Sequence, residues 1–414
     1  MKRMKKNVIV VGLLCLSLTA LVSCNDKKKD KADEETMSEL TVEQHKTNLQ
    51  NEGVALVDNM TAMENMSSIQ IIQDFSNLEI AGDQMAAPVL KILAPLSAIK
   101  SDGTSVLKLK SLSTEAQTLS AMFAENAGVY AYNAVTLNWD LEKETSTEIT
   151  FKFPAGSSTT NNATISITNF SVINSPNAET SPEGLAELVK SLKVVISKNE
   201  VPQLAFEMSA SYNADGLPEN SNFAFTFAEG YVFSVTSALT SKAASFDQSF
   251  TYKLKNLFST HLDFDGSINY DNILAINDEN MVKQGVLNNS NAWISIGNIK
   301  LQGVADVKGF NSDLESINTN GSEETVRTKV VAAYNNNLKF YVKYRDSGDI
   351  IAKNEFYAAE ITDDLGNSYW DIDQRIIFSD KSAMDETTFF DSGFSQLETK
   401  LKDWVNAMDT NYGE

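Results

Sequence analysis

Two hydrophobic periods divide this chain. Up to residue 126 the apolar positions recur every three or four residues, and from Gly128 they recur every second residue. Thr41-Val42-Glu43-Gln44 has the spacing of a capping box, in which residue one and residue four satisfy each other's backbone N–H. Leu49, Leu56, Met60 and Met63 follow at three-, four- and seven-residue steps, which predicts a first helix. Ser67 or Ser68 can cap a second, with Ile69, Ile72 and Phe75 on one face. Residues 85–99 are apolar, but Pro88 and Pro95 limit them to two short helical pieces. Residues 113–126, capped by Ser113 or Thr114, predict another helix.

The period-two part is longer. Val135, Leu137, Trp139 and Leu141 alternate with Thr136, Asn138, Asp140 and Glu142, and Ile149, Phe151 and Phe153 with Thr150 and Lys152. Leu204, Phe206, Met208, Ala210 and Tyr212 give the cleanest alternation. Phe246, Phe250, Tyr252 and Leu254 continue it, as do Leu338, Phe340, Val342 and Tyr344. Turn-forming clusters separate the runs: Asn213-Ala214-Asp215-Gly216, Asp265-Gly266-Ser267 and Asp346-Ser347-Gly348. This punctuation predicts a meander-like antiparallel sheet with one wet face. Segments 182–192 and 322–334 read as helical insertions, and 392–408 as a closing amphipathic helix. The fold class is α+β: N-terminal helices packed on a large curved antiparallel β-sheet, with a closing C-terminal helix. The helical region 41–126 and the β-rich region 127–414 are expected to form one continuous domain.

The start of the chain has a different logic. Lys2, Arg3, Lys5 and Lys6 precede an uncharged stretch at 8–22, and Leu21-Val22-Ser23-Cys24 closes it. A basic start, a short apolar stretch and a small residue before a cut are the order of a secretory signal. The stretch is below the ~20 residues that cross a bilayer core. The four closing residues resemble the lipobox of bacterial lipoproteins. That resemblance implies removal of residues 1–23 and acylation of Cys24, which would tie the protein to a membrane. Each buried CH₂ of such a chain contributes about 0.8 kcal/mol. Residues 24–40, rich in Lys, Asp and Glu, read as a charged disordered tether reaching about 50 Å when extended. Acidic residues after the Cys are similar to the surface-export signal of Bacteroidota-type lipoproteins. The whole layout resembles uncharacterised outer-membrane lipoproteins of that group. The implied location is the outer membrane, with the cell surface favoured over the periplasmic side.

Composition narrows the chemistry. Cys15 and Cys24 are the only cysteines; the first leaves with the signal and the second is acylated, so no disulfide or thiolate metal site is expected. Net charge is −21 and becomes −25 without the signal. That balance disfavours nucleic acid and anionic head groups as partners. No G-x-S-x-G, H-E-x-x-H, P-loop or dinucleotide fingerprint is present, and no cofactor is expected. Catalysis is not expected, although a glycoside hydrolase needs only two carboxylates and no local motif.

Of the two histidines, His45 reads as a surface residue among polar neighbours. His261 precedes Asp263, Asp265, Asn269 and Asp271, which resemble a calcium loop in the wrong register, so a solvated turn is the better reading. Asp363-Asp364-Leu365-Gly366-Asn367 reads as hairpin-turn chemistry. Phe223, Phe225, Phe227, Tyr231 and Phe233 fall on one face of a hairpin, and Phe246, Phe250 and Tyr252 on a neighbouring strand. Such rings are core, or a concave surface for a lipid-like ligand; the layout is faintly similar to lipoprotein carriers. The alternative is a surface interaction protein contacting glycan or a protein partner through aromatics such as Trp293 or Trp370.

Overall fold

The computed structural model describes residues 36–63, 66–78, 118–176, 187–214, 216–267, 287–363, 365–385, 388–389 and 393–412. The expected signal, Cys24, most of the expected tether, the segment 85–99, and Asn269 and Asp271 lie outside them. Within them the chain is α+β, with six helices and sixteen strands that are paired almost entirely in chain order and antiparallel. The described residues gather into two compact units.

The first unit comprises 62–239 and 250–253. Helices α2 (Ser67–Ser76) and α3 (Leu119–Asn126) precede β1 (Gly128–Asn133), β2 (Asn138–Glu144), β3 (Ile149–Phe153), β4 (Ala163–Asn174), β5 (Glu187–Lys198), β6 (Val201–Tyr212), β7 (Pro218–Phe227) and β8 (Tyr231–Leu239). The order is β8-β7-β6-β5-β4-β3-β1-β2. The β1–β3 pair is parallel, pairing Gly128 with Ile149. Period-two alternation sends Phe151, Phe153, Ile165, Ile167, Val194, Ile196 and Phe206 to one face, where Ile71 and Phe75 of α2 and Phe123 of α3 join them. The ring of Phe75 sits 5.1 Å from Phe153, edge to face. The outermost strand β2 is exposed and charged along Asp140, Glu142, Lys143 and Glu144, which discourages further strand pairing.

The second unit comprises the described residues of 36–61, 240–249 and 254–412. It holds α1 (Val42–Met63, but for its last two residues), most of β9 (Ala243–Tyr252), β10 (Lys255–Gly266), β11 (Leu287–Ile296) and β12 (Ile299–Asp306). Then come α4 (Val307–Glu315), α5 (Glu323–Asn337), β13 (Leu338–Tyr344), β14 (Ile350–Thr362), β15 (Ser368–Ile377), β16 (Ala383–Met384) and α6 (Ser395–Tyr412). Ile299, Val342, Tyr344, Ile351 and Phe378 form an apolar face with Val42 and Leu49 of α1 and with Phe389 and Phe394. Helix α1 approaches α6 at Gly53, where a Cβ would stand 2.7 Å from Leu397 Cδ2. Asn335 of α5 grips β14: its Nδ2 donates to the Phe356 carbonyl at 2.8 Å and its Oδ1 accepts from the Phe356 N–H at 2.9 Å.

Several expectations hold in detail. The capping box closes, with Gln44 N donating to Thr41 Oγ1 at 3.3 Å and Thr41 N to Gln44 Oε1 at 2.9 Å. Ser322 caps α5 by accepting from Thr325 N at 3.2 Å. Gly216, Gly348 and Gly366 take positive φ in their hairpin turns, the conformation that glycine adopts at least cost.

Others are corrected. The expected helix at 182–192 is strand β5 from Glu187 onward. Leu188 and Leu192 are spaced like one helix face, but Val194, Val195 and Ile196 prefer the pleated backbone. Val135 and Leu137 belong to the β1–β2 turn, Leu137 at φ 52°, and Leu254 likewise leaves β9 for an exposed turn. In α2 the cap is Met66, not Ser67 or Ser68, and the buried side is Ser68 and Ile71, leaving Ile72 exposed. Helix α3 is capped by Thr118. The tether ends early: Ser38 N donates to the Ile350 carbonyl and Ile350 N to the Thr36 carbonyl, both at 2.8 Å.

Candidate functional site

In the second unit, alternation on β10–β14 creates two unlike faces. Ala292, Ile294, Leu301 and Val342 point to the helix-bearing side, so Trp293, Gln302 and Tyr341 point to the other. The register makes a straight row across five strands: His261 opposite Trp293, Trp293 opposite Gln302, Gln302 opposite Tyr341, and Tyr341 opposite Lys353. All five are half-buried. The row runs over a face on which polar side chains hold one another.

At one end His261 is bracketed by two carboxylates. Its Nδ1 lies 2.6 Å from Asp247 Oδ1 and its Nε2 2.7 Å from Asp263 Oδ2. The bond to Asp263, with help from Asp247, raises the imidazole above its usual pKa despite the opposing effect of burial. Burial alone would raise Asp263, but bonds from His261 and Asn291 hold it below the usual carboxylate range. The chain continues as Asn291 Nδ2 donates to Asp263 at 3.1 Å and Gln302 Nε2 to Asn291 Oδ1 at 2.7 Å. Both ring nitrogens of His261 are thereby occupied. This histidine holds the two carboxylates in place and leaves neither ring nitrogen open to a substrate.

Trp293 stands beside it, its ring near-parallel to the imidazole at 5.5 Å. The Lys300 ammonium lies 4.8 Å from the Trp293 ring centre and the Lys343 ammonium 4.3 Å from that of Tyr341. Lys300 and Lys343 are themselves directly opposite across β12–β13. Burial, and then the neighbouring Lys343 charge, lower the Lys300 pKa. Such a row can present amides, rings and cations to a flat polar ligand.

The residues expected from sequence lie elsewhere or play other parts. Phe223, Phe225 and Phe227 are half-buried and pack against the first unit's core; Phe225 is 4.7 Å from Phe206 and 6.2 Å from Phe233. Tyr231 is buried, with Phe250 at 5.7 Å and Tyr252 at 4.5 Å. Phe246 belongs to the second unit. Of the calcium candidates, Asp263 is engaged by His261 and Asn291, and Asp265 faces the Asn289 amide at 3.4 Å. Among the described residues no group of three metal-ligating side chains converges. A shallow cleft of about 460 Å³ in the first unit is lined by Phe123, Thr147, Asn169 and Phe170, and by none of the expected aromatic residues.

His45 is a correction. It is 1% exposed, its Nδ1 2.9 Å from the Tyr344 hydroxyl, which also accepts from Asn48 Nδ2 at 2.8 Å. Its Nε2 is buried and has no hydrogen-bond partner among the described residues, and burial lowers its pKa. Polar sequence neighbours suggested a surface position, but residues 45 and 49 share the helix side that meets the sheet.

Sequence reasoning missed Asp247, Asn291, Lys300, Gln302, Tyr341 and Lys343. The only signal was alternation itself: Lys300-Leu301-Gln302 and Lys339-Phe340-Tyr341-Val342-Lys343 show polar or amphipathic residues where a wet face should fall. No protein-family model matches this chain, and no curated protein matches it.

Proposed function

We propose that this chain is a non-catalytic, lipid-anchored protein of the cell envelope that contacts glycan through the polar face of β10–β13. The observation that carries the reading is the in-register row from His261 through Trp293 and Gln302 to Tyr341. Trp and Tyr supply large rigid contact area at low entropy cost, and amides donate and accept at once. That combination suits hydroxyl-rich rings. The packing of Phe223, Phe225 and Phe227 on the core speaks for structural roles and against an apolar-ligand surface there.

The lipid anchor rests on Leu21-Val22-Ser23-Cys24. Pairing of Thr36 and Ser38 with Ile350 sets the folded part twelve residues beyond Cys24. A fully extended chain then allows a reach of about 40 Å from the anchor. The test is a glycan array probed with the purified chain, beside Trp293→Ala/Tyr341→Ala. Binding to a defined glycan set, lost in the double variant, supports the reading. Absence of binding to any glycan, or binding unchanged in the variant, overturns it. Labelling with a palmitate analogue, abolished by Cys24→Ala, checks the anchor.

A further inference from the structure

We propose that Gln302 Oε1 is a fixed hydrogen-bond acceptor at the centre of this face, and that with Lys300 it selects a glycan carrying acetamido groups. The inference rests on the glycan reading and adds the substituent that is recognised. A glutamine amide carries a donor and an acceptor of nearly the same shape, and it ordinarily turns to suit its surroundings. Here the surroundings leave one orientation.

The direction is set two side chains away. Bonds from His261 and Asn291 hold the Asp263 carboxyl below the usual range, so at neutral pH it only accepts. Asn291 must therefore turn its Nδ2 toward Asp263, 3.1 Å away. That leaves Asn291 Oδ1 facing β12, where it accepts from Gln302 Nε2 at 2.7 Å. Gln302 thus holds Oε1 on the side away from Asn291. This oxygen is accessible, and among the described residues it accepts no hydrogen bond. Turning the Gln302 amide over would set two carbonyl oxygens against each other. Turning both amides would set Asn291 Oδ1 against the carboxylate.

A fixed acceptor needs a donor from the ligand. A sugar hydroxyl can supply one but accepts as readily; an acetamido N–H only donates. The carbonyl of that group points the opposite way across its trans amide and needs a donor of its own. Lys300 is two residues from Gln302 on β12, on the same face and about 6–7 Å along the strand. A trans amide hydrogen-bonded at both ends bridges about 7–8 Å, so one acetamido group fits between Gln302 Oε1 and the Lys300 ammonium. Trp293 and Tyr341 stand directly opposite Gln302 on the two neighbouring strands, and their rings offer apolar surface to the methyl group. The Lys300 ammonium lies 4.8 Å from the Trp293 ring centre, which brings donor and ring together. A plain hydroxyl makes the first of these contacts and leaves the other two unmade.

The experiment is calorimetric titration of the full chain with two tetrasaccharides of one backbone: chitotetraose, which carries acetamido groups, and cellotetraose, which has hydroxyls in their place. Chitotetraose should bind about tenfold more tightly, equivalent to about 1.4 kcal/mol. Gln302→Leu should bring the two to equal affinity. Asn291→Leu keeps Gln302 but frees its amide to turn, and should lower the preference to about threefold. A merely structural role would weaken both ligands alike and leave their ratio unchanged. Equal binding of both, tighter binding of cellotetraose, or an unchanged ratio in Gln302→Leu overturns the acetamido site while leaving the glycan reading intact. Lys300→Met, which keeps the stem and removes the donor, decides independently if Gln302→Leu does not fold: the ratio should fall, and an unchanged ratio overturns the site. Binding of neither tetrasaccharide also overturns the site, and the glycan array then decides the broader reading by itself.

Discussion

Titrating the folded protein from about pH 5 to 8.5 tests two opposite histidine environments at once, since His45 and His261 are the only histidines and ordinary histidines titrate in that range. His45 is buried, bonded through Nδ1 to Tyr344, and lowered in pKa by desolvation. Between its folded value and about 6.5 the unfolded chain binds a proton that the folded one does not, so stability falls as pH drops through that window. His261 is raised by Asp263 and Asp247. Its stabilisation is fully present below about 6.5 and is lost as pH rises through the folded value. One proton's difference gives a slope of at most about 1.4 kcal/mol per pH unit on either limb. Asp263, held low, loses its contribution only in acid, outside this range. Urea midpoints in half-unit pH steps should therefore trace a curve with its maximum near pH 6.5. His45→Gln should flatten the acid limb alone and His261→Gln the alkaline limb alone. An unchanged acid limb in His45→Gln, or exchange of the two effects, refutes the assignment of these environments.

Two substitutions test the packing. Phe153 is 0% exposed at the centre of the first unit's core, and Phe153→Ala should cost about 3–5 kcal/mol by denaturant unfolding; a loss below about 1 kcal/mol would mean that the ring is not packed as described. Gly53→Ala sets a helix-propensity gain of about 1 kcal/mol against overpacking on Leu397, whose Cδ atoms would lie 2.7 and 2.9 Å from the new Cβ. The net change should be destabilising in the wild type and stabilising in a Leu397→Ala background, as a double-mutant cycle reads directly.

What the sequence made legible was what neighbours in sequence decide. Thr41 and Gln44 satisfy each other within one helical turn, and the glycines at 216, 348 and 366 serve turns whose strands lie on either side. Alternation likewise exposed the sheet from Gly128 onward. The failures share one physical cause: the deciding partner is distant in sequence. His45 looks solvated beside Gln44 and Lys46, yet Tyr344 comes from far along the chain to cover it. The segment 182–192 reads as a helix in isolation, whereas β4 and β6 on either side pull it into strand from Glu187 onward. The candidate site was the least legible part, because Lys300, Gln302 and Tyr341 become neighbours of Trp293 only through register.

The placement of aromatic rings carries the last step. In the first unit Phe75, Phe151, Phe153 and Trp139 pack into the core. In the second, Trp293, Tyr341 and Tyr357 fall on the polar face, each near a cation: Lys300 at 4.8 Å, Lys343 at 4.3 Å and Arg375 at 5.0 Å. Long cationic side chains cover apolar ring surface while keeping their charge in water, so all three pairs aid solubility. The Tyr357 pair is completed by acids: Arg375 Nε donates to Glu355 at 2.7 Å and Tyr357 donates to Asp373 at 2.7 Å. At Lys300 the same ring-and-cation arrangement has, among the described residues, no carboxylate within ion-pair distance, and it faces a second lysine. Solubility alone would be served equally by the neutralised form on β14–β15. The difference between the two is what stands across the strand pair: an acid opposite Arg375 and a second lysine opposite Lys300, so rings and amides dominate the β11–β13 part of the face that the proposed glycan contact would use.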